Sequence, residues 1–342
     1  MKLLQEEIIR KGLDCALFVT YEKVNPNLFY LTGYVGSGVL IVRKDEKPIL
    51  HVSTRDFVQA KQINGVEVTS GKKLTEILIE KGIDYKKIGI DFANIYVLDF
   101  NLLREKLNCE FVDLSDFMNS LRVVKSKEEV EKIQKACKIT DLILSNFVKN
   151  FKKFKTEEDA AAFLVYEARK QADGVSFEPI VASGVNAAVP HHTPYGKLQK
   201  GFCVVDFGVK YSGYCSDVTR TFYVGKPTKE EEKVYYDLLN AQEKAIGLVK
   251  PGIAISDLCN KVEKNLKQKL IHSLGHGLGI EVHEMPYVST NSKDVLKEGM
   301  VITIEPGEYI EGKYGIRIED DVLVTNSGQK MLSKFSKKLI CL

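Results

Sequence analysis

The sequence predicts a mixed α/β (α+β) chain in two parts, a small N-terminal α/β domain followed by a larger C-terminal domain. Three observations carry that expectation. Over residues 1–120, strand-like apolar runs alternate with helical stripes. Near Arg122–Lys125 that pattern ends, and Ser126 with Glu129 opens a long amphipathic stretch on a capping box. Beyond it, β-like segments carry isolated carboxylates between further helices. A length of 342 residues suits one large or two ordinary domains. The expected boundaries are 1–122 and 123–342.

The elements follow in order. Leu3, Leu4, Ile8 and Ile9 form the apolar face of a first helix. Cys15-Ala16-Leu17-Phe18-Val19 reads as a buried strand. Residues 39–42 and 49–52 flank a charged turn and predict a hairpin. Strands at 66–69, 87–91 and 110–113 alternate with helices near 74–81 and 97–107. In the second part, Val130, Ile133, Ala136, Cys137, Ile139 and Leu142 supply the stripe of a helix running to about 150. A helix follows Thr156, and another follows Thr228, where Glu231 completes a second capping box. Pro251-Gly252 stops that one, and Ser256 starts a fourth that runs to about Leu270.

Composition excludes some classes. With 49 basic and 46 acidic residues the net charge is +3, which argues against a dedicated nucleic-acid or membrane surface. Seven scattered cysteines with no C-x-x-C pair read as reduced thiols of a cytoplasmic protein. Met1 to Glu7 lacks an apolar signal core, and no run of 18 apolar residues occurs, so a soluble protein is expected.

Two carboxylate pairs stand out, each in a strand-turn-strand setting. Asp206 and Asp217 are 11 positions apart, so a hairpin centred on Tyr211-Ser212 sets them opposite one another. Opposed residues in an antiparallel pair have Cβ atoms about 5 Å apart. Two negative charges repel there, and cations between them reverse the sign. Glu305 and Glu319 are 14 positions apart, with Gly312 near the middle. Alternation keeps Thr303, Glu305, Arg317 and Glu319 away from the apolar Ile302, Ile304, Ile316 and Ile318. Buried carboxylates need a partner, and metal coordination satisfies all four. Their sequences are not visibly similar, but the two hairpins are candidates for a distant internal duplication.

Between the pairs stands His276, in Gly275-His276-Gly277, and five of the six histidines fall between 191 and 283. Four carboxylates and an imidazole suit manganese, cobalt, zinc or iron better than a thiolate-binding ion. Two such ions about 3.5–4 Å apart can share a water and lower its pKa. Taken singly, each residue is ordinary: an aspartate before glycine usually marks a turn, and Gly-His-Gly and Glu-Pro-Gly are common in loops. The five together, on the polar side of otherwise apolar strands, point to a metal-dependent hydrolase. His283-Glu284-Met285-Pro286-Tyr287 is not H-E-x-x-H, which excludes a zincin helix. Neither a P-loop nor a serine nucleophile elbow occurs.

These residues resemble the pita-bread metallopeptidases, specifically the Xaa-Pro peptidase branch of prolidases (Xaa-Pro dipeptidases) and aminopeptidases P. The matching segments are Val181-Ala182-Ser183-Gly184 with Pro190-His191, Val205-Asp206-Phe207-Gly208, and Ser216-Asp217-Val218-Thr219-Arg220-Thr221. They continue in His272-Ser273-Leu274-Gly275-His276-Gly277-Leu278-Gly279, His283-Glu284-Met285-Pro286, Glu305-Pro306-Gly307 and Arg317-Ile318-Glu319-Asp320. The resemblance covers residues 120–342, and Phe29-Tyr30-Leu31-Thr32-Gly33-Tyr34 extends it into the first domain.

The resemblance implies a creatinase-like N-terminal α/β domain and a C-terminal pita-bread (creatinase/aminopeptidase-like) catalytic domain. It also implies two divalent metal ions per chain, manganese or cobalt first, zinc or iron as alternates. Asp206 would chelate one ion, Asp217 and Glu319 would bridge both, and His276 and Glu305 would bind the second. Glu305 would also receive the proton of the metal-bridging hydroxide's parent water as it attacks. His283 would hydrogen-bond the substrate carbonyl and stabilise the tetrahedral intermediate. His191, a better match to the family's Pro-His than His192, would sit at the substrate mouth, and His272 would line the pocket. Arg317 would orient the metal-bound carboxylates.

The implied activity is hydrolysis of small peptides with proline at the second position, by a cytoplasmic homodimer. The Xaa-Pro nitrogen carries no hydrogen and its ring blocks many general peptidase sites, whereas a wide, metal-bearing site that holds the free N-terminus and the ring can still cleave the bond. Aminopeptidase P, which takes longer peptides, is the nearest alternative, and Tyr287 stands where a cation would serve as an anion anchor. Methionine aminopeptidase shares the five ligands. The long first domain, Thr219-Arg220-Thr221 and Arg317-Ile318-Glu319-Asp320 argue against it. A non-catalytic pita-bread binding protein or a creatinase-like hydrolase would be expected to lose metal ligands, and all five are present.

Overall fold

A computed structural model gives residues 1–342, described here except at 22–23, 74–75, 78, 81–84, 265 and 267–268. Contacts divide the chain into two compact units, Met1–Leu121 and Arg122–Leu342. In the first unit the chain runs through α1 (Lys2–Lys11), β1 (Cys15–Thr20), α2 (Pro26–Thr32), β2 (Gly38–Val42), β3 (Ile49–Val52), α3 (Phe57–Ala60) and β4 (Glu67–Thr69). It continues through β5 (Lys87–Ile90), α4 (Val97–Lys106), β6 (Glu110–Asp113) and into α5 (Ser115–Val123).

The six strands form one sheet in the order β4-β3-β2-β1-β5-β6. Every residue of β1 is buried, because the strand is central and covered on both faces. Ala16 and Phe18 pack in one cluster with Leu4, Ile8 and Leu40, whereas Cys15, Leu17 and Val19 pack in another with Ile41, Ile90 and Leu103. The predicted hairpin forms, with Val39 opposite His51. The helix expected near 74–81 falls partly outside the described residues.

The second unit opens with α6 (Lys127–Asn150), α7 (Glu157–Gln171), β7 (Gly174–Val175), β8 (Ile180–Ser183), β9 (Gly201–Phe207), β10 (Val209–Tyr211), β11 (Tyr214–Cys215) and β12 (Val218–Val224). It closes with α8 (Lys229–Leu248), α9 (Ile255–Glu263), β13 (Gly275–Gly277), β14 (Glu284–Val288), β15 (Val301–Ile304), β16 (Gly307–Ile310), β17 (Tyr314–Arg317), β18 (Asp320–Thr325) and β19 (Gly328–Met331). Reciprocal capping boxes start α6, α7 and α8, at Ser126 with Glu129, Thr156 with Asp159 and Thr228 with Glu231. Each satisfies two amides, one at the N-cap and one in the first turn, which would otherwise lack partners.

Helix α6 buries Ile133, Ala136, Ile143, Leu144 and Phe147. Ala136, Ile143, Leu144 and Phe147 share a cluster with Val205, Phe207, Val218 and Phe222 of β9 and β12. Leu142, expected in that stripe, is instead exposed, because a 3.6-residue period carries the buried face from Ile139 to Ile143. Helix α9 starts at Ile255 and ends at Glu263, short of the expected Leu270. From Lys264 to Lys269 the sequence offers only Leu266 as an apolar side chain for a further turn. None of the described helices is long and apolar enough to cross a membrane.

Two hairpins place the carboxylates. In the first, Asp206 pairs with Thr219 between β9 and β12, and Lys210 pairs with Cys215 between β10 and β11. One register runs through both ladders, so the tip is Ser212-Gly213, where φ is 48° and 78°. Positive φ at both central residues is what a two-residue type I′ turn requires, and glycine adopts it without strain. The expected centre at Tyr211-Ser212 is therefore one position early, and Asp217 is diagonal to Asp206 rather than opposite it. A register shift of two leaves both aspartates on one face. In the second hairpin Ile304 pairs with Asp320 and Gly307 with Arg317. That register sets Glu305 opposite Glu319, in the gap between the two ladders.

At Gly208, where the first hairpin bends, a Cβ would lie 1.8 Å from the Ser216 carbonyl oxygen. Gly208→Ala is expected to destabilise the protein by about 3 kcal/mol or more, read as a lower urea midpoint. An unchanged midpoint would show that the backbone yields at no cost.

Candidate metal centre

A cavity of about 400 Å³ in the second unit is lined by Asp206, Asp217, His276, Glu305 and Glu319, and by His191, His272, His283 and Arg317. Every candidate residue named from the sequence meets there. Asp206 comes from β9, and Asp217 lies between β11 and β12. His276 is the middle of β13, and Glu305 and Glu319 lie at the breaks before β16 and β18. The glycines beside His276 are needed because β13 runs between β14 and β15. A Cβ at Gly275 would lie 2.0 Å from the Thr303 carbonyl oxygen, and one at Gly277 would lie 2.2 Å from that of Met285.

Three sets of donor atoms each lie within 4.8 Å of one another: Asp206-Asp217-Glu319, His276-Glu305-Glu319 and Asp217-His276-His283. Asp217 and Glu319 each belong to two sets. Arg317 offsets part of this negative charge. Its Nη2 donates to Asp206 Oδ2 at 2.7 Å, and its Nε donates to Thr219 Oγ1 at 3.1 Å. Thr219 passes the interaction on, donating to Glu319 Oε2 at 2.7 Å. Thr303 Oγ1 lies 3.4 Å from Glu305 Oε1 and accepts from the His276 amide.

Burial sets the proton affinities. It holds Asp217 well above the usual carboxylate range, helped by Glu319 and Asp206, and does the same for Glu319, helped by Glu305 and Asp206. It pushes Glu305 up to about 7 against the pull of Arg317. Burial also lowers His276 to about 4, with His283 adding to the effect, their rings lying edge-on at 4.2 Å. His276 is therefore neutral at neutral pH. Its Nδ1 lies 3.1 Å from the Gly277 carbonyl oxygen, which places the proton there and leaves the Nε2 lone pair free. That lone pair faces Asp217 Oδ2 at 3.5 Å and Glu305 Oε1 at 3.4 Å.

An imidazole lone pair and several carboxylates aimed at one region attract cations. Asp206 Oδ1 is buried with no hydrogen-bond partner, and a cation would satisfy it. Nitrogen and oxygen donors in this number suit divalent ions of intermediate hardness. The residues fit a metal centre.

The remaining histidines reach the cavity from loops. His283 precedes Glu284, whose buried carboxylate pairs with Arg122 and with Lys125 Nζ at 3.4 Å, and accepts from the Glu281 amide at 3.0 Å. His272 donates from Nδ1 to the Ser273 carbonyl at 2.8 Å, and its Nε2 lies 3.1 Å from the Tyr309 hydroxyl. Tyr309, which the sequence reading did not single out, also accepts from Arg317 Nη1 at 2.7 Å. The signal for it was present: 305, 307 and 309 share a parity across β16. The apolar wall of Phe177, Ile180 and Val282 gave no pattern that marks it in sequence.

Residues 131–326 match metallopeptidase family M24, and residues 1–124 match the Creatinase/Prolidase N-terminal domain. The chain belongs to family M24. This M24 chain is 38% identical to an Xaa-Pro dipeptidase of Pyrococcus furiosus, with 92% of each sequence covered. It is 35% identical to an Xaa-Pro dipeptidase of Pyrococcus horikoshii, over 99% of this chain and 98% of that protein. Among solved structures it resembles an X-Pro aminopeptidase from Thermotoga maritima, with a TM-score of 0.91, 32% identity and coverage of 99% and 100%. It resembles the prolidase from Pyrococcus horikoshii equally, with a TM-score of 0.91, 33% identity and 99% of both chains covered. The M24 chain is a metallopeptidase and works with divalent metal ions.

The raised Glu305 has a measurable consequence in this M24 chain once it is stripped of metal by a chelator. A carboxyl raised on folding stabilises the folded state at low pH, and that contribution is lost as pH climbs through the raised value. Relative to Glu305→Gln, the stripped wild type should therefore lose stability between pH 4.5 and about 7. The loss should amount to at most about 3 kcal/mol by urea unfolding. A difference that is flat or grows across that window contradicts the assignment.

Proposed function

We propose that the chain hydrolyses Xaa-Pro bonds, foremost as an Xaa-Pro dipeptidase, with two divalent ions held by Asp206, Asp217, His276, Glu305 and Glu319. Manganese or cobalt is the first choice of metal, with zinc or iron as alternates. The observation that carries this reading is the convergence of those five donors with His191, His272, His283 and Arg317 in one cavity. The near full-length similarity to proteins named Xaa-Pro dipeptidase supports it. In the same reading residues 1–122 form a creatinase-like domain, residues 123–342 carry catalysis, and the protein is a cytoplasmic homodimer. The free cysteines support a reducing compartment.

When bound, the ions generate a nucleophile from water at neutral pH and polarise the scissile carbonyl. The residues do the rest. Asp217 and Glu319, the two carboxylates shared by two donor sets as His276 also is, would hold both ions. Glu305, placed among the donors, would accept the proton released by the attacking water and can return it to the departing proline nitrogen. His283, kept mainly neutral by burial, donates to the carbonyl oxygen as negative charge develops there. Arg317 fixes Asp206 through Nη2, and Phe177, Ile180 and Val282 offer apolar surface to the proline ring.

A second reading, aminopeptidase P, has its own support. The overall likeness to the Thermotoga X-Pro aminopeptidase equals that to the Pyrococcus prolidase, and an exposed Tyr287 lines the cavity. Hydrolysis of Met-Pro, Met-Pro-Ala and Met-Ala-Ala with manganese, cobalt and zinc separates the candidates. Preference for Met-Pro supports the dipeptidase, preference for Met-Pro-Ala supports aminopeptidase P, and cleavage of Met-Ala-Ala alone refutes both. Asp217→Ala should lose bound metal and turnover together. His283→Ala should retain metal while kcat falls about 100-fold or more, and loss of metal from it would move His283 into the ligand set.

A further inference from the structure

The Pro190-His191-His192 segment holds two adjacent histidines, and only His191 lines the cavity. His192 turns the other way. Its Nε2 lies 2.7 Å from Oε2 of Glu157, the first residue of α7. Glu157 is wholly buried, and nearly all its partners come from the segment around His191. Oε1 accepts from the Ser183 amide and hydroxyl, both at 2.7 Å, and from Asn186 Nδ2 at 3.2 Å. Oε2 accepts from Asn186 Nδ2 at 3.2 Å, from His192 and from the Tyr195 amide at 3.1 Å. A carboxylate oxygen accepts, so His192 Nε2 carries the proton. The first turn of a helix also favours a negative charge.

We propose that Glu157 and His192 form a clamp that positions His191 in the cavity, two positioning residues that touch neither metal nor substrate. The proposal rests on the peptidase reading for its kinetic arm only. The donors bracket His191 on both sides in sequence, with Ser183 and Asn186 before it and His192 and Tyr195 after it. Holding the His192 ring on Glu157 fixes the intervening peptide and directs the neighbouring side chain to the opposite side. The loop is held at the cavity edge as well, where Arg317 Nη1 donates to the Pro190 carbonyl at 3.3 Å. Apolar packing contributes through Ala187, buried with Ala182 and Val204, whereas Val185 and Val189 of the same loop are exposed. Hydrogen bonds to a charged acceptor are directional and about twice as strong as neutral ones, which suits a loop whose two valines are left exposed.

The test uses the full-length protein. Glu157→Gln removes the charged acceptor, and His192→Phe, at a half-buried position, removes one donor with less risk to folding. His192→Phe should speed amide exchange around Asn186 to Tyr195 by about tenfold, leave bound metal per chain unchanged, and lower kcat/KM on Ala-Pro by about tenfold. His192→Gln, which keeps a donor, should recover most of both effects. In a His191→Ala background, His192→Phe should cost nothing further, because the clamp acts through His191. Equal losses in both backgrounds, or unchanged exchange in His192→Phe, overturn the clamp. A wild type that binds metal yet cleaves no Xaa-Pro peptide would refute the peptidase reading, and the exchange measurement would still decide the clamp.

Discussion

The crowding of four carboxylates around one buried imidazole is the constraint on which the rest of the second unit depends. Two unit charges about 5 Å apart repel by roughly 3 kcal/mol at the effective dielectric typical of proteins. In the metal-free protein the raised proton affinities of Asp217, Glu319 and Glu305 relieve part of that repulsion, and the residues behind them cannot retreat. Ile302 and Ile304 are wholly buried in one apolar cluster and Ile316 and Ile318 in another, so the strands carrying Glu305 and Glu319 are each pinned by their own packing. Val205, Phe207 and Val218 do the same for the aspartate hairpin. Arg317 and the paired threonines Thr219 and Thr303 take up part of the charge through hydrogen bonds. The rest is left as unsatisfied attraction for cations, and metal binding then becomes part of the folding free energy.

The two hairpins solve this problem in the same way. Each carries one register through two short ladders, and each interrupts the pairing near its carboxylates. A strand residue in a regular ladder must point straight up or down from the sheet. At a break it can lean toward its neighbours, which lets Asp217, Glu305 and Glu319 converge from three different chain segments. His276 lies at an irregularity too, since the pairing of β13 with β14 shifts register between His276 and Gly277. The tight approach allowed by Gly275 and Gly277 brings its backbone to the carboxylates. This common construction does not require visible sequence similarity between the hairpins.

Much of the centre was legible in the sequence because its chemistry is local in pattern: polar residues at alternate positions in apolar strands, with a histidine between glycines. What was not legible depended on one-residue details. The tip of the aspartate hairpin follows from which dipeptide accepts positive φ, and Ser212-Gly213 accepts it where Tyr211-Ser212 does not. Symmetric spacing of Asp206 and Asp217 suggested a different centre, and direct opposition with it. Leu142 failed as a core residue for a related reason: a spacing of three from Ile139 and one of four lead to adjacent positions, and it is Ile143 that packs against Val205 and Val218. Tyr309 was overlooked because a tyrosine in a strand reads as ordinary β-propensity. Only the structure shows its hydroxyl between Arg317 and His272.

The distribution of residues between strands and loops then separates two tasks. The five donors proposed for metal sit on strands or at strand breaks, backed by wholly buried apolar side chains. The two histidines proposed to meet substrate, His191 and His283, sit on loops at the cavity. Each of those loops is instead tied to one buried glutamate, Glu157 for the first and Glu284 for the second, and each glutamate collects several donors from its surroundings. The chemistry of the two anchors differs. Glu284 faces two cations, Arg122 and Lys125, which hold its carboxyl below the usual range despite burial. Glu157 faces hydroxyl, amide and imidazole donors at a helix N-terminus, and a single proton on His192 Nε2 supplies its link to the residue beside His191. A loop held by many directional bonds to one acceptor keeps its position only while that acceptor does. The placement of the two substrate-facing histidines therefore depends on two carboxylates outside the cavity, with Arg317 linking the first of these loops to Asp206 through the Pro190 carbonyl.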